Sequence, residues 1–575
     1  MKKINILAGA LLILFSALAA TSMWNDNANY DERIHLPAGY SYVTQQDMRL
    51  NPEHPPLVKD LSGLPLLLMK INFPYQSWGW NTALTTDSSR TPVWQTDVGF
   101  GNDLLYFSGN DAQNMMRYGR IPIILIGILL GFYIFKFARE QWGDLTGIIA
   151  LAFYSFSPTF LAHTRLVTTD VAAAAAFFIS FYYLYKWLKA PTQRNIWLFG
   201  IVLGISFLTK FSTFLLIPIF GFIILIWILL NGQWKKYIGG FILILIVALL
   251  VIGAVYVYHI WNYPIEKQAI DTAFILSTFG FKPLANLSIW ISSQPYLRAW
   301  GEYFLGFLMV LQRSGGGNTT YYLGEISADG SRSYFPMMYL LKEPLAYILL
   351  AFFALFLALK KVISRKISIE FFRNNFAEFG MLLVVAVYWF FSITSNLNIG
   401  VRHILPTIPF IYILTAGQIS NWIKNSVKKS LFVLVLLVWV SVSVISVWPS
   451  FLAYYNEIAG GADRGYMIAV DSNLDWGQDI LRLSQFIEKN NIKEIKLDYF
   501  SGAPAEYYIK TAKIIPFNRE IPQKGWLAVS ASVLQGACKG DKIPCSYDER
   551  SYTWLDQYKS VAKIGYSIFV YKIEK

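Results

Sequence analysis

Residues 25–60 read NDNANYDERIHLPAGYSYVTQQDMRLNPEHPPLVKD, a polar and aromatic stretch between one apolar run and a long series of others. It holds the adjacent carboxylates Asp31 and Glu32, then Glu53 and His54, and the tetrapeptide His54-Pro55-Pro56-Leu57. A stretch of this kind beside a first apolar run is either a reactive site or a solvated tether. The rest of the chain has to decide which.

The surroundings set the class. Of 575 residues, 55% are hydrophobic and only 15% charged, where a soluble globular chain is nearer about a quarter charged. The apolar residues lie in runs close to the roughly 20 needed to cross a bilayer. Residues 1–23 carry Lys2 and Lys3 ahead of an apolar run, and are read as a first span. A signal peptide cut near Ala17-Leu18-Ala19 is the alternative. Further runs follow at 119–137, 145–162, 170–188, 196–208, 211–230, 237–260, 337–359, 378–395, 403–422 and 430–448. This is an α-helical polytopic membrane protein with about eleven transmembrane helices.

The net charge of +13 does not point to nucleic acid, because its Lys and Arg residues collect in short loops. With Lys2 inside, the loops holding Lys136 and Arg139, Lys186 to Arg194, Lys235 and Lys236, Lys360 to Arg373, and Lys424 to Lys429 all fall on the cytoplasmic side. That is the positive-inside rule. It holds only if 196–208 and 211–230 are separate spans, broken at Thr209-Lys210. The expected location is the cell membrane, multi-pass, with a cytoplasmic N-terminus. The loops 24–118 and 261–336 and the region after 448 are then extracytoplasmic. Residues 60–72 and 104–118 are expected along the interface.

Residues 1–448 are read as the membrane domain and 449–575 as an extracytoplasmic α/β domain. The latter has a helix over 471–490 and β-rich runs at 492–500, 525–532 and 561–573. Cys538 and Cys545 are either a disulfide or two free thiols.

The outer edges carry the chemistry. Asp170 opens a span in HTRLVTTDVAAAAAFF, where it is either a helix cap or a functional carboxylate. Arg165, Lys210, Arg402 and His403 lie on the outer side, against the charge bias. They suit either a phosphate or lipid headgroups and nearby carboxylates. Prolines stiffen the chain after Glu53 and His54, and His54 could be an acid, a base or a ligand.

Asp31-Glu32, the motif EHPPLVK (Glu53 to Lys59), Arg165 with Asp170, and Lys210, in that order and on one side, resemble the GT-C superfamily of polytopic glycosyltransferases. Within it the likeness is to the branch of protein O-mannosyltransferases and aminoarabinose transferases. The resemblance implies transfer of a sugar from a polyprenyl-phosphate donor to an acceptor hydroxyl of a protein, lipid or glycan, with inversion, at the outer face of the bilayer. It implies Asp31 as general base, with Glu32 beside it, and Lys210, then Arg165 and Arg402, on the donor phosphate. Glu53, His54 and Asp170 would position the acceptor or, through Glu53 and Asp170, a divalent metal such as Mg²⁺ or Mn²⁺. Residues 321–345 and 454–479 look like a bacterial branch of the same proteins, in which Tyr321, Tyr322 and Glu325, and with them His403, would line the site. A transporter of lipid-linked sugars is the competing class. It would place charges at mid-span and show repeated halves.

Overall fold

A computed structural model describes residues 2–82, 93–364, 368–500, 502–517, 519, 521–536 and 552–574. Cys538 and Cys545, and Arg365 and Lys366 of one basic loop, lie outside the described residues.

The polytopic helical fold holds. Each of the eleven apolar runs is helical in whole or part. Among the described residues, eight helices are long and apolar enough to cross a membrane: Lys2–Ser22, Ala112–Trp142, Asp170–Lys189, Phe211–Asn231, Trp234–His259, Leu345–Ile363, Phe376–Thr394 and Val427–Ile445. The other three are short. Asp144–Ser155 has 12 residues, Gln193–Phe207 has 15 and Ile408–Ile423 has 16. At 1.5 Å per residue they fall short of a hydrocarbon core about 30 Å thick.

The expected spans 145–162 and 337–359 are each broken, as is the chain at the expected Thr209-Lys210, by turns with local causes. Ser157 caps a new short helix, Pro158–His163, by accepting from Phe160 N at 3.3 Å. Pro344 separates Tyr334–Lys342 from Leu345–Ile363. Lys210 is extended, and a 3₁₀ turn, Phe211–Leu215, leads into Leu216–Asn231. The 15-residue helix makes up in packing what it lacks in length. Gly200 and Gly204 lie one turn apart, and a Cβ on either would come within 2.6 and 2.7 Å of Val247 and Val251. Small residues at this spacing let two helix backbones close up in a membrane.

The bundle has two ends of different character. At one, Arg139 donates to Asn5 at 2.8 Å, Trp142 to Glu378 at 3.2 Å, and Arg373 to the Leu230 carbonyl at 3.0 Å. Asp31, Asp170, Lys210 and Arg402 meet at the other. Lys210 at the second end, with Lys189 beside Trp227 at the first, keeps 193–207 and 211–231 antiparallel and distinct.

Beyond 448 lies a five-stranded sheet in the order β4-β3-β5-β7-β6. Its strands are β3 Glu494–Asp498, β4 Lys513–Ile514, β5 Gly525–Ser530, β6 Ala562–Ile564 and β7 Ile568–Ile573; a separate hairpin joins β1 Thr320–Tyr322 to β2 Glu325–Ser327. β3 runs parallel to β4 and β5, while β5–β7 and β6–β7 are antiparallel. The expected run 561–573 is a hairpin turning at Gly565 and Tyr566, both at positive φ. The expected helix 471–490 starts only at Ile480. Ahead of it, Asp471 and Gly477 adopt φ of 58° and 85°, and side-chain hydrogen bonds to the membrane part hold 471–479 out of helix.

Candidate active site

The loop after the first span enters its helix, Glu32–Gln45, through a reciprocal cap. Glu32 N donates to Asn29 Oδ1 at 2.9 Å, and Asn29 N donates to a Glu32 oxygen at 3.1 Å. The Glu32 carboxylate then accepts a two-pronged bond from Arg120, at 2.6 and 2.7 Å, and a third from Val167 N at 2.9 Å. Neither side chain of the pair has any solvent exposure. Glu32 therefore ties the loop, the 112–142 helix and the 164–169 turn together. It faces away from its neighbour Asp31, because one residue along a helix turns the side chain by about 100°.

Asp31 turns to a cavity of about 130 Å³, enough for a phosphate group or a few waters at about 30 Å³ each. Its wall draws on several separate segments of the chain: Asp31 and His35, Glu53 and His54, Thr168 and Thr169, Lys210 and Ser212, Arg313, and Arg402 and His403. Nη1 of Arg402 donates to Asp31 Oδ2 at 2.8 Å and reaches Asp170 Oδ2 at 3.5 Å. Lys210 Nζ holds the other Asp170 oxygen at 2.6 Å. Asp170 is 1% exposed and sits behind these two cations. Arg313 donates to Glu53 at 2.7 Å across the mouth. The wall thus carries Asp31 and Glu53 against Lys210, Arg313 and Arg402. Counting Asp170 behind Lys210 and Arg402, three carboxylates face three cations, and all three cations line the cavity.

The EHPP element is set from behind. Lys59, wholly buried, donates to the carbonyls of Asn51 at 2.6 Å and His54 at 2.8 Å. Asn51, at φ 48°, donates through its backbone and side chain to Asp97, each at 3.1 Å. Burial pulls the Lys59 amine down to about 7.

Burial pushes the Asp31 carboxyl up, but the charge of Arg402 and its hydrogen bond outweigh it and hold the group below the ordinary aspartate range. It is an ionised acceptor at neutral pH. Burial keeps His35 neutral against the pull of Asp31, and it keeps His54 neutral with Lys210 and Lys59 lowering that ring further. His35 Nδ1 lies 3.1 Å from the Val167 carbonyl and so carries its hydrogen there, which leaves Nε2 as an acceptor. His54 Nδ1, Thr168 Oγ1 and Arg402 Nε are buried without a partner among the described residues. Unsatisfied groups around one cavity mark a place for a polar ligand.

Of the residues singled out from sequence, Asp31, Glu53, His54, Lys210, Arg402 and His403 line the cavity, with Asp170 directly behind it. The others do not reach it. Glu32 belongs to Arg120. Arg165 is buried against Asp26 and donates to the Ser22 carbonyl at 2.7 Å. On the β1–β2 hairpin, Tyr321 donates to the Met467 carbonyl at 3.1 Å, Tyr322 meets Ser333 at 3.2 Å, and Glu325 is exposed. Sequence reasoning missed His35, Arg313 and Trp476, whose ring centroid lies 4.1 Å from the Arg402 guanidinium carbon. Arg313 bears the same signal as Arg402, a cation on the expected outer side. Trp476 has no such signal.

The donors do not suit a divalent cation. Both Asp170 oxygens face cations, Glu53 faces Arg313, and among the described residues no three His, Cys, Asp or Glu side chains converge to hold a metal.

No curated protein sequence matches the chain. Among solved structures it is similar to ArnT from Cupriavidus metallidurans bound to undecaprenyl phosphate, at 11% identity and TM-score 0.47, covering 99% of this chain and 98% of that one. It is also similar to the Archaeoglobus fulgidus oligosaccharyltransferase in the apo form, at 12% identity and TM-score 0.44. A third is the archaeal AglB of the same organism with an inhibitory peptide and a dolichol-phosphate, at 13% and 0.43. Each archaeal comparison covers 90% of this chain and 62% of the other. Residues 112–261, which carry Arg120, Arg165, Asp170 and Lys210, match the family described as dolichyl-phosphate-mannose-protein mannosyltransferase, and over that segment the family likeness read from the motifs holds.

Proposed function

We propose that the chain is a membrane glycosyltransferase that moves a sugar from a polyprenyl-phosphate donor to an acceptor hydroxyl. The end of the bundle that carries the cavity faces outside. One observation carries the reading: an ionised Asp31 and the cations Lys210, Arg313 and Arg402 face the same small space.

Inverting transfer needs a base on the attacking hydroxyl and charge stabilisation on the leaving group. Asp31 Oδ2 is held by Arg402, so the remaining oxygen takes the acceptor proton. The acceptor oxygen forms a bond to the anomeric carbon as the bond from that carbon to the phosphate oxygen breaks. The electron pair stays on the phosphate, which leaves as polyprenyl phosphate. Its extra negative charge is met by fixed cations that need no reorganisation. Asp170 holds Lys210 and Arg402 in place. A phosphate is a good leaving group, so no general acid is required, which agrees with histidines kept neutral.

The test is Asp31→Asn in membranes supplied with labelled undecaprenyl-phosphate sugars. Loss of transfer with donor binding kept supports the assignment, and transfer at the wild-type rate removes Asp31 as the base.

A further inference from the structure

The region after residue 448 meets the cavity through one short turn, and the group it touches is a cation. Ser472 Oγ donates to the Ile399 carbonyl, and Asn473 Oδ1 accepts from Val401 N at 3.0 Å. Gly400 between them leaves no space, since a Cβ there would lie 2.2 Å from Ser472 Oγ. The turn therefore grips the backbone immediately ahead of Arg402. Three residues on, Trp476 lies against the guanidinium. Trp476 is itself fixed at both backbone groups. Its N donates to Gln478 Oε1 at 2.8 Å and its carbonyl accepts from Tyr30 N at 3.1 Å.

An arginine side chain is long and rich in rotamers, so it acts at one place only when something holds it there. Between two carboxylates it would settle fully onto one of them. Here one face is covered by a buried indole, which attracts a cation across its ring. The guanidinium donates only in its plane, so the ring on its face leaves the edge free to donate to Asp31 at 2.8 Å and to reach Asp170 at 3.5 Å.

We propose that Trp476 is a positioning residue for Arg402, so that the C-terminal region supplies part of the phosphate site and is not a separable appendage. This rests on the reading of the cavity as a lipid-phosphate site. Without the ring, the guanidinium falls onto a carboxylate and withdraws from the phosphate.

The experiment measures undecaprenyl phosphate binding to the full chain in lipid nanodiscs. Trp476→Leu is expected to weaken binding about tenfold, the scale of a desolvated cation–π contact. Trp476→Phe, which keeps a ring, should lose no more than about threefold on the same scale. In an Arg402→Gln background, Trp476→Leu should add nothing, since residues acting as one unit are not additive. Should Trp476→Leu not fold, Trp476→Met gives the same contrast of ring against no ring. Unchanged binding by the ringless variant, or a loss that adds to that of Arg402→Gln, overturns the proposal and leaves the lipid-phosphate reading in place. Failure of the wild-type chain to bind the lipid removes that reading and the proposal together.

Discussion

Asp31 and Asp170 stand on either side of a single nitrogen, Nη1 of Arg402, at 2.8 and 3.5 Å. The two carboxylates come from loops 139 residues apart in sequence (170 minus 31) and share one charge. That sharing makes Arg402 the pivot of the site and separates the roles of its neighbours.

Asp31→Asn keeps the shape of the side chain and its acceptor oxygen for Arg402 but cannot take a proton. Transfer from a labelled undecaprenyl-phosphate sugar is expected to fall by about 10²–10⁴-fold, the usual contribution of a general base. Affinity for undecaprenyl phosphate should change little. A comparable loss in binding would mean that Asp31 acts on the donor.

Lys210→Met removes a cation from the wall and leaves one Asp170 oxygen without its partner. Binding of undecaprenyl phosphate should weaken by roughly 10–100-fold, as expected for a hydrogen bond to a charged group. Thermal stability in detergent should drop as well. The double variant Lys210→Met/Asp170→Asn is expected to recover stability and not binding. Recovery of both would make the pair structural only.

Glu32→Ala leaves the Arg120 guanidinium buried and unmatched. Breaking a fully buried pair costs about 3–5 kcal/mol. The expected result is a lower unfolding temperature and a poor yield of monodisperse protein. If Glu32→Gln folds at wild-type stability and loses transfer, Glu32 belongs in the chemistry after all.

Asp471 gives a pH test. Burial raises its carboxyl from the ordinary 3.8 to about 6, against the pull of Arg402. Between those values the folded chain holds the proton more tightly than the unfolded one. Stability from this group is therefore full below pH 4 and is lost as pH rises through 6. Asp471→Asn removes the titration, and asparagine tolerates the left-handed φ of 58°. Unfolding temperature should rise at pH 7.5, by the equivalent of about 1–3 kcal/mol at roughly 1.4 kcal/mol per unit. The gain should vanish by pH 4. A gain of equal size at both pH values would show that ionisation plays no part.

The fold was legible because spans are long and apolar, and because loop charge separates the two ends. Most of the site was legible for a related reason. Asp170, Lys210, Arg402 and His403 are ionisable groups at the margins of apolar runs, where a charge needs a purpose. Direction was not legible. Asp31 and Glu32 are neighbours with equal claims as carboxylates, and only the cap at Asn29 decides which one Arg120 takes. Arg165 looks like Arg402 in sequence, yet its counter-ion Asp26 lies in the loop before Asp31. Nor does periodicity reveal that 471–479 is a 3₁₀ turn and bends ahead of the α-helix, because the forces that keep it from continuing the helix come from residues 27, 399 and 401.

The clasp between the two extremes of the chain sets an order of assembly. Asn27 donates to the Gly477 carbonyl and accepts from Ile480 N, partners some 450 residues further along. On the ribosome, residues 25–31 are made and threaded early, then wait through the synthesis of every later helix before their counterparts emerge. Arg402 likewise has no indole beneath it until residue 476 has been delivered. A chain made only as far as residue 450 already holds Asp31, Asp170, Lys210 and Arg402 but lacks the contacts that 472–476 make around Arg402, so that arrangement waits on a segment made much later.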